Sequence, residues 1–165
     1  MRRREFITLL GGAAAWPLAV RAKEPERIRR VGMLVRVEND AADIERAIAA
    51  VASMPNSAMV LLPESTVVVN SDLIITLAAR YRLPAVYNYK FQVRAGGLMS
   101  YGIVAADHYR QASLYVDQIL RGAKPSDLPV QTPTKYETAL NRKTANALGL
   151  TPPAGLIVAA DEVIE

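Results

Sequence analysis

The stretch Ala58-Met59-Val60-Leu61-Leu62, stopped by Pro63-Glu64-Ser65-Thr66, decides the reading of this chain. Five consecutive apolar residues ended by a proline and polar side chains are what a parallel strand requires when both of its faces are covered. Towards the N-terminus, Ile44, Ile48 and Val51 recur at i, i+4 and i+7 and predict a helix over 41–54. Asn39-Asp40 offers its N-cap, and Pro55-Asn56-Ser57 breaks it. Before that helix, Arg30-Val31-Gly32-Met33-Leu34-Val35 reads as a short buried strand. Towards the C-terminus, Ser71 offers a cap to a second helix with Ile74, Leu77, Ala78 and Tyr81 as its apolar stripe, and Pro84-Ala85-Val86-Tyr87 is the next strand. Val67-Val68-Val69 stays open: its β-branched residues favour strand, its position favours a loop or first turn.

Beyond Asn88-Tyr89-Lys90, a helical turn over Phe91–Arg94 stops at Gly96-Gly97, and Leu98-Met99-Ser100-Tyr101-Gly102 forms another strand. A long helix over 105–121 carries Tyr109, Ala112, Val116, Ile119 and Leu120 on one side, so Tyr109, like Tyr81, is expected in the core. Gly122 is placed as its C′ residue and Pro125 prevents continuation. Ser126 to Pro133 is extended, Lys135–Asn141 reads as a strand, and Lys143–Leu148 as a short helix closed by Gly149. Helices alternating with short apolar strands specify an α/β fold with a parallel sheet and right-handed crossovers. In such sheets ligands lie outside the carboxyl ends of the strands. Three strand ends carry polar or aromatic residues there: Glu64-Ser65-Thr66, Asn88-Tyr89-Lys90 and Tyr101-Gly102.

The N-terminus carries an address rather than a fold. Met1-Arg2-Arg3-Arg4-Glu5 is basic, Ile7 to Val20 is uncharged, and Val20-Arg21-Ala22 supplies small or β-branched residues at a cleavage point near Ala22. This is the pattern of a secretory signal peptide over 1–22. Fourteen uncharged residues fall short of the roughly 20 that a spanning helix needs. Arg3-Arg4 with Phe6 and Ile7 behind them resemble a twin-arginine export signal. Without these residues the chain has 16 basic and 15 acidic side chains, so the charge gives no argument for nucleic-acid binding. There is no cysteine, which excludes disulfides, thiolate metal sites and a cysteine nucleophile. His108 is the single histidine, and neither a G-x-S-x-G nor a Gly-rich phosphate motif is present, so no metal, cofactor or enzymatic activity is expected.

Several motifs then occur in order: Leu77-Ala78-Ala79-Arg80-Tyr81-Arg82-Leu83-Pro84-Ala85-Val86-Tyr87, Ala95-Gly96-Gly97-Leu98-Met99-Ser100-Tyr101-Gly102, Tyr115-Val116-Asp117-Gln118-Ile119-Leu120-Arg121-Gly122-Ala123-Lys124-Pro125, and Ala159-Ala160-Asp161-Glu162-Val163-Ile164-Glu165. Together with the leader, these make the chain similar to exported substrate-binding proteins of ABC transporters. The resemblance implies the type I periplasmic-binding-protein fold, two α/β lobes closing on a small organic solute such as an aromatic amino acid, with a permease of the inner membrane as partner. It also implies that residues 39–165 form the second lobe and that 23–38 are a remnant of the first, so that the chain is essentially one lobe of a parallel-sheet sandwich. The positions matching the family's pocket loops are Pro63, Glu64, Ser65, Asn88, Tyr89, Tyr101 and Gly102. A lobe without its counterpart exposes apolar surface, which favours self-association. The alternatives to a working periplasmic binding protein are a non-transporting remnant and a self-associating interaction module.

Overall fold

The computed structural model describes residues 30–34 and 40–165. The predicted signal peptide, its cleavage point near Ala22 and most of the 23–38 segment lie outside the described residues, as does Asn39. Strand β1 (Arg30–Leu34) leads to helix α1 (Ala41–Ala52), whose N-cap is Asp40, its carboxylate accepting from the Ala42 N–H at 3.3 Å. Strand β2 (Ser57–Leu61) follows a turn in which Asn56 adopts φ +56°, a conformation that asparagine tolerates better than most residues. Helix α2 (Ser65–Val69) settles the open segment: Val67 turns into the core and Val69 stands 74% exposed. Helix α3 (Ser71–Arg80), strand β3 (Ala85–Tyr87), helix α4 (Lys90–Arg94) and strand β4 (Met99–Ile103) complete the regular alternation. The rest is α5 (Ala105–Leu120), a 3₁₀ turn (Pro125–Asp127), β5 (Tyr136–Asn141), α6 (Arg142–Ala147), α7 (Ala154–Ala159) and β6 (Glu162–Ile164).

The six strands pair in sequence order, β1-β2-β3-β4-β5-β6. All neighbours are parallel except β4 and β5, which run antiparallel with Ser100 opposite Ala139. The sequence reading of a wholly parallel sheet is therefore corrected at this pair. The chain leaves β4 through α5 and returns along residues 122–135, so β5 starts at the carboxyl end of β4. Ser71 is likewise not a cap, since Asn70 holds that position. The Ser71 hydroxyl instead lies within hydrogen-bond distance of the Val67 and Val68 carbonyls, at 2.9 and 2.8 Å.

Register shows where the core sits. Met59 pairs with Ala85, and Tyr87 with Ser100, so Met59, Leu61, Ala85, Tyr87, Ser100 and Ala139 share one face; each is buried. Ile44 and Ile48 of α1, Val67, and Ile74, Ile75, Leu77 and Ala78 of α3 belong to the same core. Gly32 lets α1 approach closely, because a Cβ there would come within 2.7 Å of Val51. The opposite face carries Val60, Val86 and Met99, all half-buried, and Val31 at 63% exposure. The apolar run of β2 thus has one well-covered face and one partly open face, where the sequence pattern predicts two covered ones.

Helix α5 departs further from expectation. Asp107 is its one buried residue, with Gln111 and Tyr115 half-buried at i+4 and i+8. Tyr109, expected in the core, is 74% exposed, and Leu120 is 81% exposed. The helix is fastened by its polar face: Asp107 accepts from Lys135 Nζ at 2.9 Å, and the Tyr115 hydroxyl donates to the Pro129 carbonyl. The stripe Tyr109–Val116–Ile119–Leu120 has no covering element among the described residues.

Candidate functional site

Because β2, β3 and β4 are parallel neighbours, the segments leaving them emerge at one edge. A cavity of about 480 Å³ opens there, within the size range of small-molecule sites. Pro63, Glu64 and Ser65 line it from the β2 exit and Tyr89 from the β3 exit. Asn88, Tyr101 and Gly102 do not line it. The Asn88 side-chain nitrogen is buried without a hydrogen-bond partner among the described residues. Tyr101, 59% exposed, stacks on Tyr136 with centroids 5.6 Å apart. Gly102 serves the frame, since a Cβ there would lie 1.8 Å from the Asn88 carbonyl oxygen.

The walls come from helices. Val68 and Val69 of α2, Phe91 of α4, and Ala105, His108 and Tyr109 of α5 line the cavity together with Ile103. Sequence reasoning did not select these residues. Helical spacing alone places Tyr109 in the core, and the local pattern makes Phe91 only part of a turn. The available signal was positional: each lies within a few residues of a strand's carboxyl end. The Tyr89 and Phe91 rings stack at 5.8 Å, so the site presents an aromatic wall.

One chain of hydrogen bonds ties the walls together. The Tyr89 N–H donates to Gln92 Oε1 at 3.2 Å, and Gln92 Nε2 donates to Ser71 Oγ at 3.0 Å. Ser71 in turn reaches the carbonyls that end α2. Gln92 is fully buried and Ser71 nearly so, so this polar link is shielded from water.

The charges divide clearly. The carboxylate of Glu64, half-buried on the cavity wall, has no ion-pair or hydrogen-bond partner among the described residues. Asp107 does not pair with it. Lys135 first, then Arg110 and Gln111, hold the Asp107 carboxyl below the usual aspartate range, against the opposing effect of burial. Ser65, His108 and Glu64 share the cavity, yet no hydrogen bond links them, so no activated nucleophile is assembled. Among the described residues no cluster of three metal-ligating side chains is present, and no helix is long and apolar enough to cross a membrane.

The described residues thus form one α/β sheet with an open cavity at its carboxyl edge. The family model described as ABC transporter substrate binding protein matches residues 31–164, and the chain belongs to that family. It is a binding-protein family, not an enzyme family. Two solved structures are similar at a TM-score of 0.69: a conserved domain protein from Vibrio cholerae O1 biovar El Tor, 26% identical, and a Streptococcus pneumoniae ABC domain in complex with L-Trp, 25% identical. They match 75% and 76% of this chain and 42% of their own length, so the fold described is one lobe. The ligand-free, open structure of a substrate-binding protein with adhesive properties from Clostridium difficile shares the fold at 18% identity and a TM-score of 0.52, over 76% of this chain and 41% of its own. No curated protein matches the chain.

Proposed function

We propose that this chain is an exported, periplasmic solute-binding component of an ABC-type uptake system that delivers an aromatic amino acid to an inner-membrane permease. The observation that carries this reading is the aromatic cavity with an unpaired carboxylate on its wall. Glu64 receives the solute's ammonium group, and its ring lies against Phe91, Tyr89 and Tyr109. The L-Trp carried by the Streptococcus pneumoniae relative supports the solute class, and the twin-arginine-like leader supports export.

The test is thermal unfolding followed by circular dichroism, with L-Trp, L-Tyr, L-Phe, neutral and acidic amino acids, and small organic anions. A bound solute at a hundredfold excess over Kd adds about 2.7 kcal/mol of apparent stability. An upward shift confined to the aromatic amino acids, reduced by Glu64→Gln, is the expected result. No shift with any member of the panel overturns the reading and leaves a non-transporting remnant.

A second reading rests on α5. Its apolar stripe continues from Tyr109 at the cavity rim, and a second copy of the chain presents the same stripe. Self-association through it covers this stripe. Sedimentation of a strict monomer at high concentration would exclude this reading.

A further inference from the structure

A second cavity, of about 400 Å³, opens at the opposite edge of the sheet from the first. Its floor is strand β3, through Ala85 and Tyr87, and Gly97 on the approach to β4, and its walls are the C-terminal half of α3 and the exposed turns of α6. Ala78 and Leu148 make much of the lining apolar. We propose that this cavity is a binding site for a small apolar carboxylate, with Arg82 and Lys143 receiving the anionic end.

The polar groups set the ligand class. No acidic side chain lines the cavity, whereas Arg82 and Lys143 both do. The Lys143 ammonium has no hydrogen-bond or ion-pair partner among the described residues. Arg82 spends one donor on the Ala147 carbonyl, at 3.1 Å, and the others remain available. Thr144 is already committed, donating to the Gly96 carbonyl at 2.9 Å. Tyr87 is 2% exposed, and its hydroxyl has no hydrogen-bond partner among the described residues. Burial raises its pKa, so it stays protonated and able to donate. An occupant must therefore bring an apolar body and acceptor oxygens.

The backbone at Arg82 is the independent observation. Four helices end in the same closure, in which the N–H three residues past the end reaches back to a carbonyl of the last turn: Leu83 to Ala78, Gly97 to Gln92, Ala123 to Gln118 and Leu150 to Ala145. In three of them the left-handed residue is glycine, at Gly96, Gly122 and Gly149. In α3 it is Arg82, at φ +51°. Glycine adopts this conformation without penalty and arginine does not. The one closure that departs from glycine places a cation on the cavity rim.

Calorimetric titration of the full chain with octanoate, octanol and acetate tests the proposal, with Lys143→Gln, Arg82→Gly and Tyr109→Ala variants. The expected result is saturable one-to-one octanoate binding, at least tenfold weaker octanol binding and no acetate binding. Lys143→Gln and Arg82→Gly each weaken octanoate at least fivefold, while Arg82→Gly unfolds at no lower temperature because the strained position is relieved. Tyr109→Ala, in the other cavity, leaves octanoate affinity unchanged. The proposal is overturned by absent octanoate binding, by octanol binding as tightly, or by affinity that follows Tyr109 instead of Arg82 and Lys143. Lys143 is exposed, so its substitution keeps the test valid should Arg82→Gly fail to fold.

Discussion

The space that a side chain at residue 102 would need is already filled by the Asn88 carbonyl, 1.8 Å from an added Cβ. Gly102→Ala must push two strand exits apart, and it is expected to lower unfolding free energy by about 3 kcal/mol, as core overpacking does; urea denaturation measures this. Gln92→Leu is of similar size but different origin. It leaves the part-buried Tyr89 N–H and the buried Ser71 hydroxyl without their partner, and an unsatisfied buried group costs about 1–3 kcal/mol. A double-mutant cycle with Ser71→Ala should show that the two positions couple. At this scale the sequence was legible where a strand ends in a polar residue, so Pro63, Glu64, Ser65 and Tyr89 fall on the cavity wall. Asn88, Tyr101 and Gly102 belong to the same strand exits but do not line the cavity: the Tyr101 ring is taken up by Tyr136, and Gly102 packs on the Asn88 carbonyl, contacts between distant segments that no local pattern shows.

Among the elements, α5 shows most clearly what periodicity can and cannot say. The spacing of Tyr109, Val116, Ile119 and Leu120 identified a helix with one apolar side, and the helix is there. Nothing in a spacing states which side meets the rest of the protein, and here the polar side does so through Asp107 and Lys135. The antiparallel turn of β5 was hidden for a similar reason, since its pairing depends on a long-range return path and not on local pattern. The anchor is testable by pH. The Asp107 carboxyl lies below the ordinary value of about 3.9, so its contribution is present above that value and fades as pH falls through the depressed one. Wild type should unfold at a higher temperature than Asp107→Asn at pH 7, and the gap should close in strong acid. Lys135→Met should reproduce the loss at pH 7.

Over the whole molecule, the alternation of helix and strand gave the α/β class directly, and the one-sided core did not show in it. Val60, Val86 and Met99 are as apolar as their buried neighbours, so composition cannot reveal that their face is only half-covered. Apolar surface of this kind makes association depend on concentration. If copies pair through α5, Leu120→Gln should shift the sedimentation profile towards monomer without altering the unfolding midpoint of the dilute protein, since Leu120 is 81% exposed. The shielded link from Tyr89 through Gln92 to Ser71 has a wider consequence. It holds the cavity walls from behind, without using the side chains that line the cavity. Val69, Phe91 and Tyr109 stand outside the core. A lineage can therefore exchange them and reshape the cavity while the scaffold beneath stays unchanged.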